Sequence, residues 1–143
     1  MKSLLTEWRK FLSEKESYRD RKQALSAVVS PFAKSISDEY EIDLWMSSGT
    51  PGDEYSKSIV NLDSIVVPKE KRGSGLGTKA MNKIIDWADE NDYIIALTPS
   101  KDFGGSVPKL KKFYKGFGFK SNLGRNKDYR SREAMIRYPG GKR

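Results

Sequence analysis

A short glycine-rich segment carries the clearest chemistry in this 143-residue chain. It reads Arg72-Gly73-Ser74-Gly75-Leu76-Gly77 and follows an aliphatic run that ends at Pro68. Glycines let a backbone approach an anion closely, because no Cβ stands in the way. If a helix begins here, the free amides of its first turn and its dipole point at the same spot. The segment therefore predicts a phosphate site.

The spacing of the glycines excludes two common nucleotide sites. A dinucleotide fingerprint needs G-x-G-x-x-G, and a Walker loop ends in Gly-Lys-Ser/Thr. Neither pattern occurs at residues 72–77. A second segment, Phe113-Tyr114-Lys115-Gly116-Phe117-Gly118-Phe119, follows one expected strand and one expected helix later.

The residue types that are missing limit the chemistry further. The sequence has no histidine and no cysteine. Ser-His-Asp and Cys-His mechanisms, an acyl-cysteine route, disulfides and cysteine-type zinc sites are therefore excluded. Carboxylate, tyrosine, lysine, serine and backbone chemistry remain, and they suffice for a direct transfer between two bound substrates.

Helical periodicity dominates the first third of the chain. We expect an amphipathic helix over residues 3–16 with Ser3 as its N-cap. Further helical sequence contains Pro31, which predicts two short helices or a kink, with Ser30 capping the second part. The helix that carries Trp8 is expected to pack on a sheet, and docking to a partner or a second subunit is the alternative.

Beyond this region the pattern alternates between strands and helices. Period-two alternation and β-branched runs predict strands, with helices at the apolar 3.6-residue stripes. The expected strands are 39–47, 58–67, 93–98, 119–122 and 133–138, and the expected helices are 76–91 and 106–117, the latter capped by Ser106 and ended by Gly118. The loop 99–105, with two glycines, is a candidate mobile segment.

Together, segments 72–77 and 113–119 closely resemble the GNAT (Gcn5-related) N-acetyltransferase family. The resemblance covers about residues 38–143 of what we expect to be one domain, 1–143, with a divergent helical segment at 1–37. It implies an α/β fold: a GNAT-like mixed β-sheet flanked by helices, here with an atypical helical N-terminus. Because the family usually opens with a strand, this start leaves the shape of the acceptor pocket open.

The resemblance also implies a co-substrate, acetyl-CoA, and no metal. In the family two adjacent parallel strands diverge, and the pantetheine arm lies between them; here these strands would be 58–67 and 93–98. Ile65, Val66 and Val67 would offer backbone groups to the pantetheine. The pyrophosphate would be held by Arg72, Gly73, Ser74, Gly75, Leu76, Gly77 and Thr78.

Two side chains are the candidates for proton transfer. By resemblance, Tyr114 protonates the leaving thiolate of coenzyme A; the alternative is a core tyrosine. An alkyl amine is neutral only about one part in 2,500 at pH 7, a handicap of about 4.6 kcal/mol. Asp63, or Glu41 or Asp43 on the preceding strand, could relieve this as a general base. The expected function is therefore N-acetyl transfer to a primary amine.

Charge is unevenly distributed and keeps two other functions open. Residues 1–66 carry a net charge of −2, and residues 67–143 carry +10. The basic half would attract coenzyme A, yet segment 109–132 also predicts contact with a nucleic acid such as tRNA. The alternatives are thus a nucleic-acid-binding or tRNA-modifying protein and a non-catalytic acyl-CoA-binding module. No apolar run suggests a membrane segment, so a cytoplasmic protein is expected; the acceptor and the oligomeric state stay open.

Overall fold

The computed structural model describes residues 4–100 and 106–141, and for residues 11–16 the backbone alone. The expected Ser3 cap and residues 101–105 of the expected mobile loop lie outside this part. The main elements of the described part are α1 (Leu4–Tyr40), β1 (Asp43–Ser48), β2 (Ile59–Val66), α2 (Leu76–Asn91), β3 (Ile94–Leu97), α3 (Val107–Lys115), β4 (Lys120–Ser121) and β5 (Met135–Arg137).

The strands form one mixed sheet in the order β1-β2-β3-β5-β4. The β2–β3 pair is parallel, and the other neighbours are antiparallel. The crossover between the parallel strands contains α2, as a parallel connection requires. This architecture confirms the predicted α/β fold, a mixed sheet flanked by helices.

The core is divided by the sheet. Ile95 and Leu97 of β3 belong to a large buried cluster that also contains residues of all three helices. Ile94 and Ala96 point to the opposite face and form a smaller cluster with residues of β2 and β5. Successive strand residues face opposite sides of a sheet, so the four consecutive buried residues of β3 show that both faces are covered.

The two helices that flank the candidate site begin where the sequence predicts. α2 spans the predicted residues, and its buried face includes Met81 and Ile84. At the start of α3 the Ser106 side chain accepts a hydrogen bond from the Lys109 N–H, as a serine N-cap does. Beyond the helix Gly118 has φ 93°, the left-handed conformation expected of it.

The first helix is continuous, so the expected division into two short helices at Pro31, with Ser30 capping the second part, was wrong. The alternative, a kink at Pro31, stays a prediction. Val29 and Ala33 on either side of the proline are both buried in the large cluster, and this packing holds the two parts in one helix. Pro31 itself and Ala27, whose carbonyl loses the usual N–H partner, lie on the exposed side. Water can therefore bind that carbonyl, which lowers the penalty of an interior proline.

The boundary between α1 and β1 also differs from the prediction, because residues 39 and 40 are helical and the strand starts at Asp43. Glu41 takes a left-handed conformation with φ 52°. The Ile42 N–H then bonds to the Ser37 carbonyl at 3.2 Å, which closes the helix in a Schellman arrangement. Glycine usually occupies this position, so the glutamate gave no indication in the sequence that the helix ends here.

The first turns of α1 expose their apolar side chains. Leu4, Leu5 and Trp8 are 85, 66 and 57 % exposed, and Leu25 is the first buried residue among those described. The expectation that the Trp8 helix packs on the sheet was therefore wrong. Within residues 4–100 and 106–141, no helix combines the length and apolar character needed to cross a bilayer.

Replacing Pro31 by alanine should stabilise the protein. The N–H gained would restore a helical hydrogen bond to Ala27, and the gain should be about 2 kcal/mol after allowing for the less restricted unfolded chain. Chemical denaturation measures it. Ser30→Ala, the neighbouring exposed position, serves as control and should change stability by a few tenths of a kcal/mol. A Pro31→Ala protein no more stable than the control would contradict this account.

Candidate functional site

The parallel strands β2 and β3 part after three residue pairs. The last pair is Asn61 with Ala96, although β2 continues to Val66 alongside β1. Residues 62–66 therefore have no strand beside them on the β3 side within the described part of the chain. The unpaired edge of β2 beyond this pair, called the gap below, lies at the carboxyl ends of the two strands, where α/β sheets bind ligands.

A β-bulge lies at the mouth of this gap. Met46 of β1 is opposite Leu62 and Trp45 is opposite Ser64, so Asp63 is the extra residue. Bulges of this kind redirect side chains and are frequent beside active sites.

The bulge also decides which backbone groups face the gap. The Leu44 amide and carbonyl bond to the Ser37 hydroxyl on the outer edge of β1 at 3.2 and 3.4 Å, so they point away from β2. Its opposite residue, Ile65, must then direct its own N–H and C=O into the gap. Val66 pairs with Asp43 and points to β1, and the Val67 carbonyl accepts the Arg72 Nε–H at 3.1 Å. Of these three candidate residues, Ile65 has the backbone best placed to receive a ligand.

The glycine segment forms an open turn at the start of α2. Gly73 and Gly75 have φ 84° and 80°, and a Cβ on either would meet no atom within 4 Å among the described residues. The Lys79 N–H bonds to the Gly75 carbonyl at 3.0 Å, so the three amides before it, from Leu76 to Thr78, lie at the free end of the helix. This open, amide-rich turn fits a phosphate group.

The turn, the end of β2 and α3 pack against one another. A Cβ on Gly77 would lie 3.9 Å from Val67 Cγ2 and 4.0 Å from Phe113 Cζ. The glycine segment and the aromatic segment, far apart in sequence, therefore meet at one end of the gap.

Tyr114, beside Phe113 on α3, is almost fully buried. Its ring makes edge contacts with Phe113 and Phe119 at centroid distances of 5.3 and 5.7 Å. Burial raises the pKa of the Tyr114 hydroxyl to about 12. The hydroxyl is therefore protonated throughout the neutral range.

Of the three candidate bases, Asp63 has the environment best suited to accepting a proton. Partial desolvation raises its pKa above the ordinary value, a hydrogen bond with Ser47 opposes this, and the Glu133 carboxylate adds to it. Glu41 differs: its hydrogen bond and ion pair with Lys71 lower its pKa, which weakens it as a base. Asp43 is paired with Val66 on the far side of β2 from the gap.

A polar cavity of about 250 Å³ is lined in part by Asn61, two residues before Asp63 on β2. It is bounded by β2, the end of β1, α1 and the segment before β5. The larger polar side chains that line it are Tyr18, Lys22, Asn61, Arg130, Arg132 and Glu133. A cavity of this size accommodates a small polar group rather than a nucleotide.

Sequence reasoning missed Glu133, Thr98 and Asn61. Thr98 donates a hydrogen bond to Glu133 Oε2 at 2.5 Å, although the two residues are 35 positions apart. No spacing rule connects them, because only the pairing of β3 with β5 brings them together. Among the described residues, no group of three or more metal-ligating side chains is placed to hold a metal ion.

Comparison with known proteins gives one family. The model of the acetyltransferase (GNAT) family matches residues 42–119, more than half of the chain. No curated protein and no solved structure matches. The matched region runs from the start of β1 to just beyond α3, so it contains the gap, the glycine turn and Tyr114. The chain therefore belongs to the GNAT acetyltransferase family.

Proposed function

We propose that this protein transfers an acetyl group from acetyl-CoA, the co-substrate of its family, directly to a primary amine. The observation that carries the proposal is the gap between β2 and β3, which opens beside the glycine turn within the region of the family match. The residues present fit both parts of the co-substrate: the turn suits its phosphates, and the gap suits its extended arm.

The arm of coenzyme A would pair with the free edge of β2. Ile65 offers one N–H and one C=O there, while its side chain remains in the core. The turn and the first amides of α2 would receive the pyrophosphate. An amide of the β2 edge would also polarise the thioester carbonyl, as backbone donors do for developing oxyanions.

Asp63 is proposed to take the proton that the acceptor amine must lose before it attacks. Asp63 is the extra residue of the bulge beside the gap, two residues along β2 from Asn61, which lines the polar cavity. A raised pKa makes the Asp63 carboxylate a stronger base, because it reduces the difference between its pKa and that of the amine. The cavity would hold the remainder of a small acceptor or the end of a larger one.

Tyr114 is proposed to donate the proton that the departing thiolate receives. A phenol with a pKa of about 12 is a weaker acid than a free tyrosine, so this transfer is less favourable than the sequence suggests. The thiolate would form in the same apolar surroundings, which also raise its proton affinity. Burial therefore affects both partners and leaves the transfer feasible.

Part of the basic segment 109–132 has contacts within the protein. Arg130 bonds to Asp128 at 3.2 Å and to the Lys57 carbonyl at 3.0 Å, and the Lys120 ammonium lies 4.7 Å from the centre of the Tyr138 ring. None of these contacts favours a nucleic acid over coenzyme A as the anionic ligand.

Calorimetry with acetyl-CoA tests the co-substrate. Gly75→Glu should weaken binding at least about tenfold, because it places a negative charge and a side chain where the pyrophosphate would lie. Gly124→Glu is the matched control: Gly124 also has a left-handed backbone, with φ 78°, and open space around it, but lies in a different turn. Absent binding, or equal loss in both variants, would refute the co-substrate site.

Asp63→Asn should lower kcat by about a hundredfold or more, since general-base catalysis commonly contributes that much. Glu41→Gln and Asp43→Asn, which change the other two candidate bases, should retain most of the activity. Because the pKa of Asp63 is raised, kcat/KM of the unchanged enzyme should decline on acidification, and the midpoint of this decline should lie above the usual pKa of a carboxylate. Full turnover by Asp63→Asn would exclude this residue as the base.

Tyr114→Phe should reduce kcat by about a hundredfold while leaving the affinity for acetyl-CoA nearly unchanged. With a pKa of about 12, the hydroxyl should contribute no alkaline decline to the pH profile of the unchanged enzyme below pH 10. Phe113→Leu, at the neighbouring ring, tests whether any loss reflects packing alone. Equal effects of the two substitutions would argue against an acid role.

A further inference from the structure

Just beyond the last β2–β3 pair, side chains from neighbouring strands lie on the same face of the sheet. Asn61 is paired with Ala96, and Ala96 with Ile136, so these residues form one row across three strands. Asp63 and Thr98 lie two positions further along β2 and β3. Thr98 is two residues beyond Ala96, so its side chain lies on the Ala96 face, next to the segment that precedes β5. Asp63 lies on the same face, because its side chain bonds to Ser47, the β1 residue opposite Asn61.

Glu133, in that segment, is held in place by Thr98. The Thr98 hydroxyl donates to Glu133 Oε2 at 2.5 Å and accepts the Ala134 N–H at 3.1 Å. The Glu133 N–H in turn bonds to Ser131 Oγ at 3.2 Å. One carboxylate oxygen is thus tied to the end of β3, so the negative charge of Glu133 remains beside the gap.

We propose that Glu133 is a positioning residue for removal of the acceptor's proton: Thr98 holds its carboxylate near Asp63, and its charge makes Asp63 the stronger base. The proposal rests on the proposed role of Asp63 as the base. Glu133 need not touch either substrate, because it acts through the electrostatic field at Asp63.

The surroundings of Asp63 support this assignment. Desolvation raises the pKa of Asp63 most, the Ser47 hydrogen bond from β1 lowers it, and Glu133 supplies the repulsion that raises it further. The cations around the neighbouring cavity are Lys22 of α1 and Arg130 and Arg132 of the segment before β5. Arg130 is held by Asp128, at the far end of that segment.

The test is to remove the charge and keep the shape. Glu133→Gln retains an oxygen that can accept the Thr98 hydrogen bond, so the fold around it should persist. The midpoint of the Asp63 carboxyl titration, followed by NMR in the free protein, should move to lower pH. The acid limb of kcat/KM should move with it, and kcat should fall severalfold because Asp63 becomes a weaker base.

Two substitutions at Thr98 provide a second route to the same conclusion. Thr98→Val removes the hydroxyl that ties Glu133 and should shift the Asp63 midpoint in the same direction, by less than Glu133→Gln. Thr98→Ser keeps the hydroxyl and should leave the midpoint unchanged. An unmoved Asp63 midpoint in Glu133→Gln would overturn the inference. A shifted midpoint in an enzyme whose Asp63→Asn variant is fully active would instead overturn the base role in the proposed function.

Discussion

The parting of β2 and β3 after three residue pairs is the constraint on which the rest of the site depends. Had the pairing continued, β3 would have satisfied the backbone groups of Ile65, and the sheet would offer no edge to a ligand. Because β2 stays paired with β1 on both sides of the bulge, it remains ordered beside the gap. The gap therefore combines a rigid wall with unpaired backbone groups, the arrangement that strand-like recognition needs.

The elements next to β3 are joined by a partly buried ion pair. Arg137 of β5 is fully buried and bonds to both oxygens of Asp89 on α2, at 2.8 and 3.1 Å. Its Nε–H also donates to the Phe117 carbonyl at 2.7 Å, just beyond α3. One guanidinium thus joins the strand next to β3 with the helix that starts at the glycine turn and the helix that carries Tyr114. The planar, multiply bonded arginine holds these elements in one orientation.

The sequence predicts the parts of this arrangement whose causes are local. The glycines before α2, the Ser106 cap and the β-branched run of β2 depend on neighbouring residues, and each was predicted near its observed position. The continuous helix through Pro31 was not, because distant packing outweighs a local signal there. The Thr98–Glu133 contact was also missed, since it exists only through the pairing of β3 with β5.

The single extra residue at Asp63 connects the two halves of the proposed reaction. The insertion reverses the alternation of β2, so that Ile65 turns its backbone toward the gap while its side chain stays in the core. The same insertion leaves Asp63 itself without an opposite residue, with its side chain bonded to Ser47 and its pKa raised by the charge of Glu133. The proposed co-substrate binding and the proposed acceptor deprotonation therefore have a common structural origin: neither Ile65 nor Asp63 could be repositioned without moving the other.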